Sequence, residues 1–250
     1  SVGGQDYAAN LIGYDRKHDV AVIQLVGAGG LPSAPIGDSG AVAPGEPTVA
    51  IGNARGVGAP LNHEVGPITA LNRTVNAEDS LTGSSEEVTG LIEVASDVRP
   101  GDSGGPLVNS AGQVIGLVTA ASVNFQMGPA GEGFAIPIND AMAVAGQIRS
   151  GALSGSVHIG PPSLLGVGVS TQPRREPGIV VRDVVRGGPA DQAGVTLGAV
   201  ITVLDGTPLD SATTLTYALD RHYPGDVVDL TWIDRSGQQR TGKATLVPGP

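Results

Sequence analysis

The stretch of this sequence with the most chemistry in it is Arg99-Pro100-Gly101-Asp102-Ser103-Gly104-Gly105-Pro106-Leu107. A serine with glycine two positions before it and at both positions after it can sit on a tight turn where backbone N–H groups converge beside the hydroxyl. Such a cradle stabilises the oxyanion of a tetrahedral acyl-transfer intermediate, with the N–H groups of Gly101 and Ser103 as the donors. A Gly-rich turn carrying a surface serine is the ordinary alternative, since Gly-Ser pairs recur at Gly83-Ser84 and Gly155-Ser156. The hexapeptide from Gly101 to Pro106 is much rarer and marks Ser103 as the candidate nucleophile. A serine hydroxyl needs a base, and the histidines available are His18, His63, His158 and His222. Histidines and carboxylates never cluster at ligand spacing and cysteine is absent, so neither a metal nor an organic cofactor is expected.

The elements that must position this turn are short. Leu11 to Gly13 and Val20 to Leu25 read as strand, turn, strand across the polar Asp15 to Asp19. Further apolar bursts follow at Pro47 to Gly52, Val65 to Leu71, Leu91 to Val94, Gly105 to Val108, Val114 to Thr119 and Gly133 to Ile138, separated by turn residues. This predicts a mainly β barrel or sandwich. A helix is expected over Asn139 to Ile148, with Asn139 as cap and Met142, Val144, Ala145 and Ile148 inward. It closes a first domain over residues 1–148. The small, polar run from Ser150 to Ser156 and Gly160-Pro161-Pro162 predict a linker over 149–162. A second domain, 163–250, is expected to hold strands at Gly178 to Val185 and Ala199 to Leu204 and a helix over Ser211 to Arg221, with Leu215, Ala218 and Leu219 inward. It ends on a hairpin of Val227 to Ile233 and Arg240 to Leu246 around Asp234 to Gly237.

Composition agrees with two β-rich domains: 250 residues, 40% hydrophobic and 15% charged, with 39 glycines and 19 prolines to serve turns. A net charge of −10 opposes nucleic acid and anionic membrane surfaces as partners. No run of about 18 apolar residues offers a membrane span. The start Ser1-Val2-Gly3-Gly4 has neither a basic n-region nor an initiator Met and reads as a processed or truncated chain.

Four ordered segments resemble the chymotrypsin-like serine proteases of HtrA/DegP type, which carry a PDZ domain after the protease. They are His18-Asp19-Val20-Ala21-Val22, Val49-Ala50-Ile51-Gly52-Asn53, Gly101 to Leu107 with Val114-Ile115-Gly116, and Gly133-Phe134-Ala135-Ile136-Pro137. Within that family the chain is similar to the secreted HtrA-like proteases of actinobacteria. The resemblance implies a partial chymotrypsin-like double β-barrel followed by a PDZ domain, with Ser103 as nucleophile and Asp19 as the carboxylate that orients the imidazole. Asp15 is the competing carboxylate and is expected to be exposed.

The family's base is a histidine upstream of that aspartate, and here nothing upstream of Asp19 is a histidine except adjacent His18. On a strand, His18 and Asp19 would point to opposite faces. His63, in Asn62-His63-Glu64-Val65, follows Asp19, against the family order. The economical expectation is that the first barrel half lies outside residues 1–250 and that this chain alone is inactive; a natural pseudoprotease is the alternative. In this fold the residue six before the nucleophile, here Asp97, lies at the base of the specificity pocket. The family usually has a small residue there and accepts small aliphatic side chains, whereas a buried Asp would pair Lys or Arg; an Asp97 turned to solvent is the simpler expectation. Ser163 to Val169 resembles the PDZ carboxylate-binding loop, with N–H groups of Leu165, Gly166 and Val167 to hold a peptide C-terminus. Gly188 to Gly194 and Val203 to Gly206 are also family-like, while Gly198-Ala199 departs from the usual Gly-Asp. The resemblance implies an extracytoplasmic bacterial endopeptidase for unfolded or misfolded exported proteins, with peptide C-termini as partners and a possible homotrimer. A peptide-binding or chaperone-like protein without proteolysis is the second reading.

Overall fold

The computed structural model describes residues 5–54, 56, 60–78, 85–119, 131–152, 155–170 and 177–249. Two compact units result, one of Ser1–Glu78 and Glu86–Ile159, the other running from Gly160 to Pro250.

In the first unit, β1 (Ala9–Asp15) and β2 (Val20–Leu25) form an antiparallel hairpin. A short 3-10 helix, Ser39–Ala41, leads to β3 (Pro47–Gly52), β4 (Asn62–Glu78), β5 (Ser85–Val94), β6 (Pro106–Asn109), β7 (Val114–Thr119) and β8 (Gly133–Pro137). These six strands close into a barrel in the order β3-β4-β5-β8-β7-β6, with β3 pairing β6 to complete the ring. On β3 the buried positions are Thr48, Ala50 and Gly52, small residues alternating with half-buried Val49 and Ile51. That period of two with small inward side chains suits the interior of a narrow barrel. Ala50, Ile68, Ile92, Leu107, Ile115 and Val118 share one apolar cluster. A second cluster joins Val20, Leu91, Val114 and Phe134 to the inward face of helix α1 (Ile138–Ser150). Neighbouring positions of β7 feed different clusters, which is why it reads as a continuous apolar run rather than an alternating one.

Helix α1 begins one residue earlier than expected, and Asn139 is not its cap. Pro137 holds the N-cap position, and the Asn139 N–H donates to Ser39 Oγ at 3.1 Å. The Asn139 side chain donates instead to Asp38 Oδ1 at 2.7 Å, which with the Gly40 N–H holds Asp38 below the ordinary carboxylate range. A residue a hundred positions away thus satisfies the helix start, a relation no local pattern displays. Inward residues are Ile138, Ala141, Val144 and Ile148, whereas Met142 is 48% exposed and lies off that face. Gly151, at φ 69°, closes the helix with its N–H on the Gln147 and Ile148 carbonyls.

Not all of 149–162 links the two units. Val157–Ile159 forms β9, which pairs with β1 in the register Gly13↔Ile159. A Cβ on Gly13 would lie 2.5 Å from the His158 carbonyl oxygen, so this approach requires glycine. Three residues beside a Gly/Ser-rich run carry no readable period, and their partner is far away in sequence. The long β4 likewise exceeds the apolar burst that announced it, since Arg73, Thr74 and Asn76 are exposed and leave the hydrophobic pattern silent.

The second unit contains β10 (Ser163–Leu164), β11 (Val167–Val169), β12 (Ile179–Val184), α2 (Pro189–Ala193), β13 (Val200–Leu204), β14 (Thr207–Pro208), α3 (Ala212–Leu219), β15 (Val227–Ile233), β16 (Gln239–Thr245) and β17 (Val247–Pro248). Its main sheet runs β11-β12-β13-β15-β16, with β14 on β13, while β10 pairs β17. Leu165, Val181, Ile201, Leu204, Leu230 and Trp232 lie in one buried core with Leu215 and Ala218 of α3. Ser211 caps α3 by accepting from the Thr214 N–H at 3.1 Å. In the hairpin turn, the Ser236 hydroxyl and the Arg240 guanidinium hold Asp234 well below the usual carboxylate range.

Candidate active site

Two consecutive turns shape the loop around Ser103. The Asp102 N–H donates to the Arg99 carbonyl at 2.9 Å, with Pro100 and then Gly101 (φ 100°) between them, the residue pattern of a type II turn. The Gly105 N–H then donates to the Asp102 carbonyl at 3.0 Å across Ser103 and Gly104 (φ 83°). Ser103 is exposed at the tip. The loop lies against the end of β3 at distances only glycine permits. A Cβ on Gly105 would stand 2.0 Å from the Ile51 carbonyl oxygen, and one on Gly101 would stand 2.9 Å from Ala54 Cα. β7 holds the other side, as the Gly104 N–H donates to the Val118 carbonyl at 2.8 Å and the Val118 N–H to the Gly105 carbonyl at 2.7 Å. Gly105→Ala must therefore push the turn off β3. It is expected to cost about 3 kcal/mol or more, lowering the melting temperature of the first unit by roughly 6–12 °C in differential scanning calorimetry. A melting curve unchanged from wild type would contradict this packing.

Asp19 sits in the β1–β2 turn and not on a strand, which corrects the expected geometry of His18 and Asp19. The Asp19 N–H donates to the Arg16 carbonyl at 3.1 Å, and Asp19 adopts φ 52°, a left-handed conformation that Asp and Asn tolerate better than most residues. Its Oδ2 accepts from the Thr119 hydroxyl at 2.9 Å. Consecutive residues of β7 thus hold two separate pieces of the site, Val118 the serine turn and Thr119 the aspartate. Buried Thr119 was not singled out in the sequence, because a polar residue at a strand end is unremarkable until its distant partner is known.

Asp15 is 1% exposed, contrary to expectation. Its carboxylate accepts from His18 Nδ1 at 2.7 Å, the His18 N–H at 3.2 Å and the Ser156 hydroxyl at 2.8 Å. His158 is buried on β9 with its ring stacked 4.9 Å from that of Tyr14. His63 is exposed on β4 opposite Ile51. His222 lies in the second unit, 3.6 Å from Asp205 and 3.8 Å from Asp226. Asp97 is half-exposed and engaged by Arg99, whose Nε donates to its Oδ2 at 3.0 Å while Nη2 reaches the same oxygen. That hydrogen bond and charge hold the Arg99 guanidinium above its usual range. Residues 120–130 lie outside the described residues.

In the second unit, Gly166 adopts φ 79° between buried Leu165 and Val167, the first residue of β11. The Leu165 carbonyl accepts from the Ala190 N–H at 3.0 Å and the Gly166 carbonyl from the Val185 N–H at 2.9 Å. The loop is thereby anchored through its carbonyls. β11 is the terminal strand of its sheet.

A closed six-stranded barrel carrying a Gly-Asp-Ser-Gly-Gly turn, followed by a small β-rich unit with an anchored glycine loop, is the architecture of a trypsin-like peptidase domain joined to a PDZ domain. Residues 1–117 match the trypsin-like peptidase domain family and residues 163–246 the PDZ domain family. The chain thus carries a trypsin-like peptidase domain and a PDZ domain and is similar to the HtrA/DegP-type serine proteases. It is 34% identical over 97% of its length to serine protease PepD of Mycobacterium tuberculosis, covering 52% of that protein. It is 34% identical over 99% of its length to a probable periplasmic serine endoprotease DegP-like of Halomonas elongata, covering 50% of it. Serine protease Do-like HtrA of Lactococcus lactis is 32% identical over 98% of the chain, which covers 62% of that relative. The chain thus spans between half and about three-fifths of the length of these relatives. Among solved structures, the HtrA-type protease AlgW with decapeptide matches with a TM-score of 0.50 and 28% identity, covering all of this chain and 74% of that one. Among the described residues, no helix is long and apolar enough to cross a membrane.

Proposed function

We propose that the protein is a serine endopeptidase that cleaves unfolded or misfolded exported proteins outside the cytoplasm, with the second unit recognising peptide C-termini. The observation that carries this reading is the double turn at Ser103, held between β3 and β7, with Thr119 of the same β7 fixing Asp19. In the reaction, Ser103 Oγ attacks the scissile carbonyl as an imidazole takes its proton, and Asp19 orients that imidazole. The N–H groups of Gly101 and Ser103 receive the oxyanion. The imidazolium then protonates the leaving amine, and water repeats the sequence on the acyl-enzyme. The relatives named as periplasmic endoproteases support the compartment. Arg99 already engages Asp97, which favours small aliphatic side chains over Lys or Arg before the cleaved bond.

The test is labelling with a fluorophosphonate probe. The full-length protein should be labelled at Ser103 and should cleave casein. No labelling of the full-length protein would favour a peptide-binding protein without proteolysis. Robust Ser103-dependent activity of the 250-residue chain would instead place the base within it, with His63 the first residue to replace.

For the second unit, we propose that Leu165, Gly166 and Val167 N–H groups cradle a terminal carboxylate while the peptide extends along the free edge of β11. A fragment from Gly160 to Pro250 carries the whole of the core that includes Trp232 and is expected to fold alone. Titration should show peptides with a free apolar C-terminus binding at least about tenfold more tightly than their amidated counterparts. Equal affinities would remove the carboxylate loop.

A further inference from the structure

The side chain next to the nucleophile, Asp102, is 2% exposed, and its carboxylate enters a cleft at the end of β3. Gly52 opens that cleft, since a Cβ there would stand 2.0 Å from Asp102 Oδ1. Three N–H donors from three places close on the carboxylate. The Ala54 N–H reaches Oδ1 at 3.0 Å, the Arg99 N–H reaches Oδ2 at 3.0 Å, and Asn62 Nδ2 reaches Oδ2 at 2.9 Å. Asn62 is itself buried, at 7% exposure, and its Oδ1 accepts a second, longer bond from the Ala54 N–H at 3.3 Å. Asn62, with Asp102, therefore ties the start of β4, the residues after β3 and the serine turn into a single network.

A buried carboxylate is costly unless its lone pairs are met, so Asp102 stays where all three donors are and resists displacement. The two N–H groups assigned to the oxyanion, those of Gly101 and Ser103, flank Asp102 on either side. Fixing Asp102 fixes the peptide plane that carries the Ser103 N–H directly, and the Asp102 N–H on the Arg99 carbonyl closes the turn that carries the Gly101 N–H. Pro100, Gly101 and Gly104 set the local turn shape and Val118 of β7 holds Gly104 and Gly105, while the Asp102 side chain fastens the Arg99 to Asp102 side of the loop to the β3–β4 end of the barrel.

We propose that Asn62 is a positioning residue for proteolysis: through Asp102 it locks the serine turn onto the β3–β4 end of the barrel and so aims the Gly101 and Ser103 N–H groups. Asn62 is buried and acts through its bonds to Asp102 and Ala54. The inference rests on the protease reading for its catalytic consequence and on the hydrogen-bond network alone for its structural one.

Two measurements on the full-length protein separate these levels. In native-state hydrogen exchange, Asn62→Ala should speed exchange of the amides from Arg99 to Gly105 by at least about tenfold, with the core amides of β7 unchanged. In steady-state proteolysis of an unfolded substrate, the same variant should lose about a hundredfold in kcat with little change in KM, since displacements of an ångström at a reacting centre have effects of that size. The reciprocal exchange, Asn62→Asp with Asp102→Asn, restores an amide facing a carboxylate but leaves the Arg99 N–H without its acceptor, and should recover part of the kcat that the single changes lose. Unaltered exchange in Asn62→Ala overturns the lock. Faster exchange with kcat within twofold of wild type overturns the catalytic role, as do single losses that simply add in the double variant. A wild-type protein that fails to label at Ser103 overturns the protease reading and the catalytic half of the proposal together, and the exchange data still decide the lock.

Discussion

Ser103→Ala in the full-length protein is expected to reduce proteolysis of casein by on the order of a millionfold, the scale seen when the nucleophile of a catalytic triad is removed. The residual rate would come from substrate binding and from the Gly101 and Ser103 N–H groups, which the substitution leaves in place. Stability should barely change, because Ser103 is exposed at the tip of its turn and the turn is shaped by Gly101, Gly104 and Gly105. Coincident melting curves for variant and wild type, with fluorophosphonate labelling abolished in the variant, would be the expected pair of results. Casein cleavage retained by the variant would remove Ser103 from the mechanism.

Asp19→Asn should lower kcat by roughly ten-thousandfold, because a neutral amide favours the wrong tautomer of the imidazole it orients. The local structure makes this substitution unusually clean. Asn tolerates the left-handed backbone that Asp19 adopts at φ 52°, and an Asn Oδ1 can still accept the Thr119 hydroxyl that reaches Asp19 at 2.9 Å. The turn should therefore survive, and circular dichroism and melting should match wild type while turnover falls. Thr119→Val, which deletes the donor but keeps the carboxylate, should have a much smaller effect on kcat. Undiminished turnover in Asp19→Asn would exclude Asp19 as the orienting carboxylate. Asp15 is not an easy substitute, since its carboxylate is buried and already meets His18 and Ser156.

The serine turn was readable in the sequence because its requirements are local. Pro at the second turn position and Gly at the third each answer to the φ of one residue, and Gly101, Gly104 and Ser103 stand within a few residues of one another. The barrel strands announced themselves for the same reason, and β3 and β7 match the apolar bursts that predicted them. The hairpin at Asp234 and the buried positions Leu215 and Ala218 of α3 followed from short-range periodicity as well.

What required the tertiary structure was each relation between residues distant in sequence. The burial of Asp15 depends on Ser156, more than a hundred residues later, and the capping of Asn139 depends on Ser39. The strand Val157–Ile159 exists because Gly13 admits its backbone, and Met142 is exposed because the packing surface takes Ala141 and Val144 instead. Asn62 meets Asp102 only because Gly52 makes room for that carboxylate beside it. Composition, glycine placement and hydrophobic period determined that this chain folds as two β-rich units with an exposed serine between glycines, because those signals act over a turn or a strand. Which polar groups meet in the interior was decided only by folding, since a hydrogen bond that satisfies a buried carboxylate has no signature in either partner's neighbourhood until the barrel brings the two together.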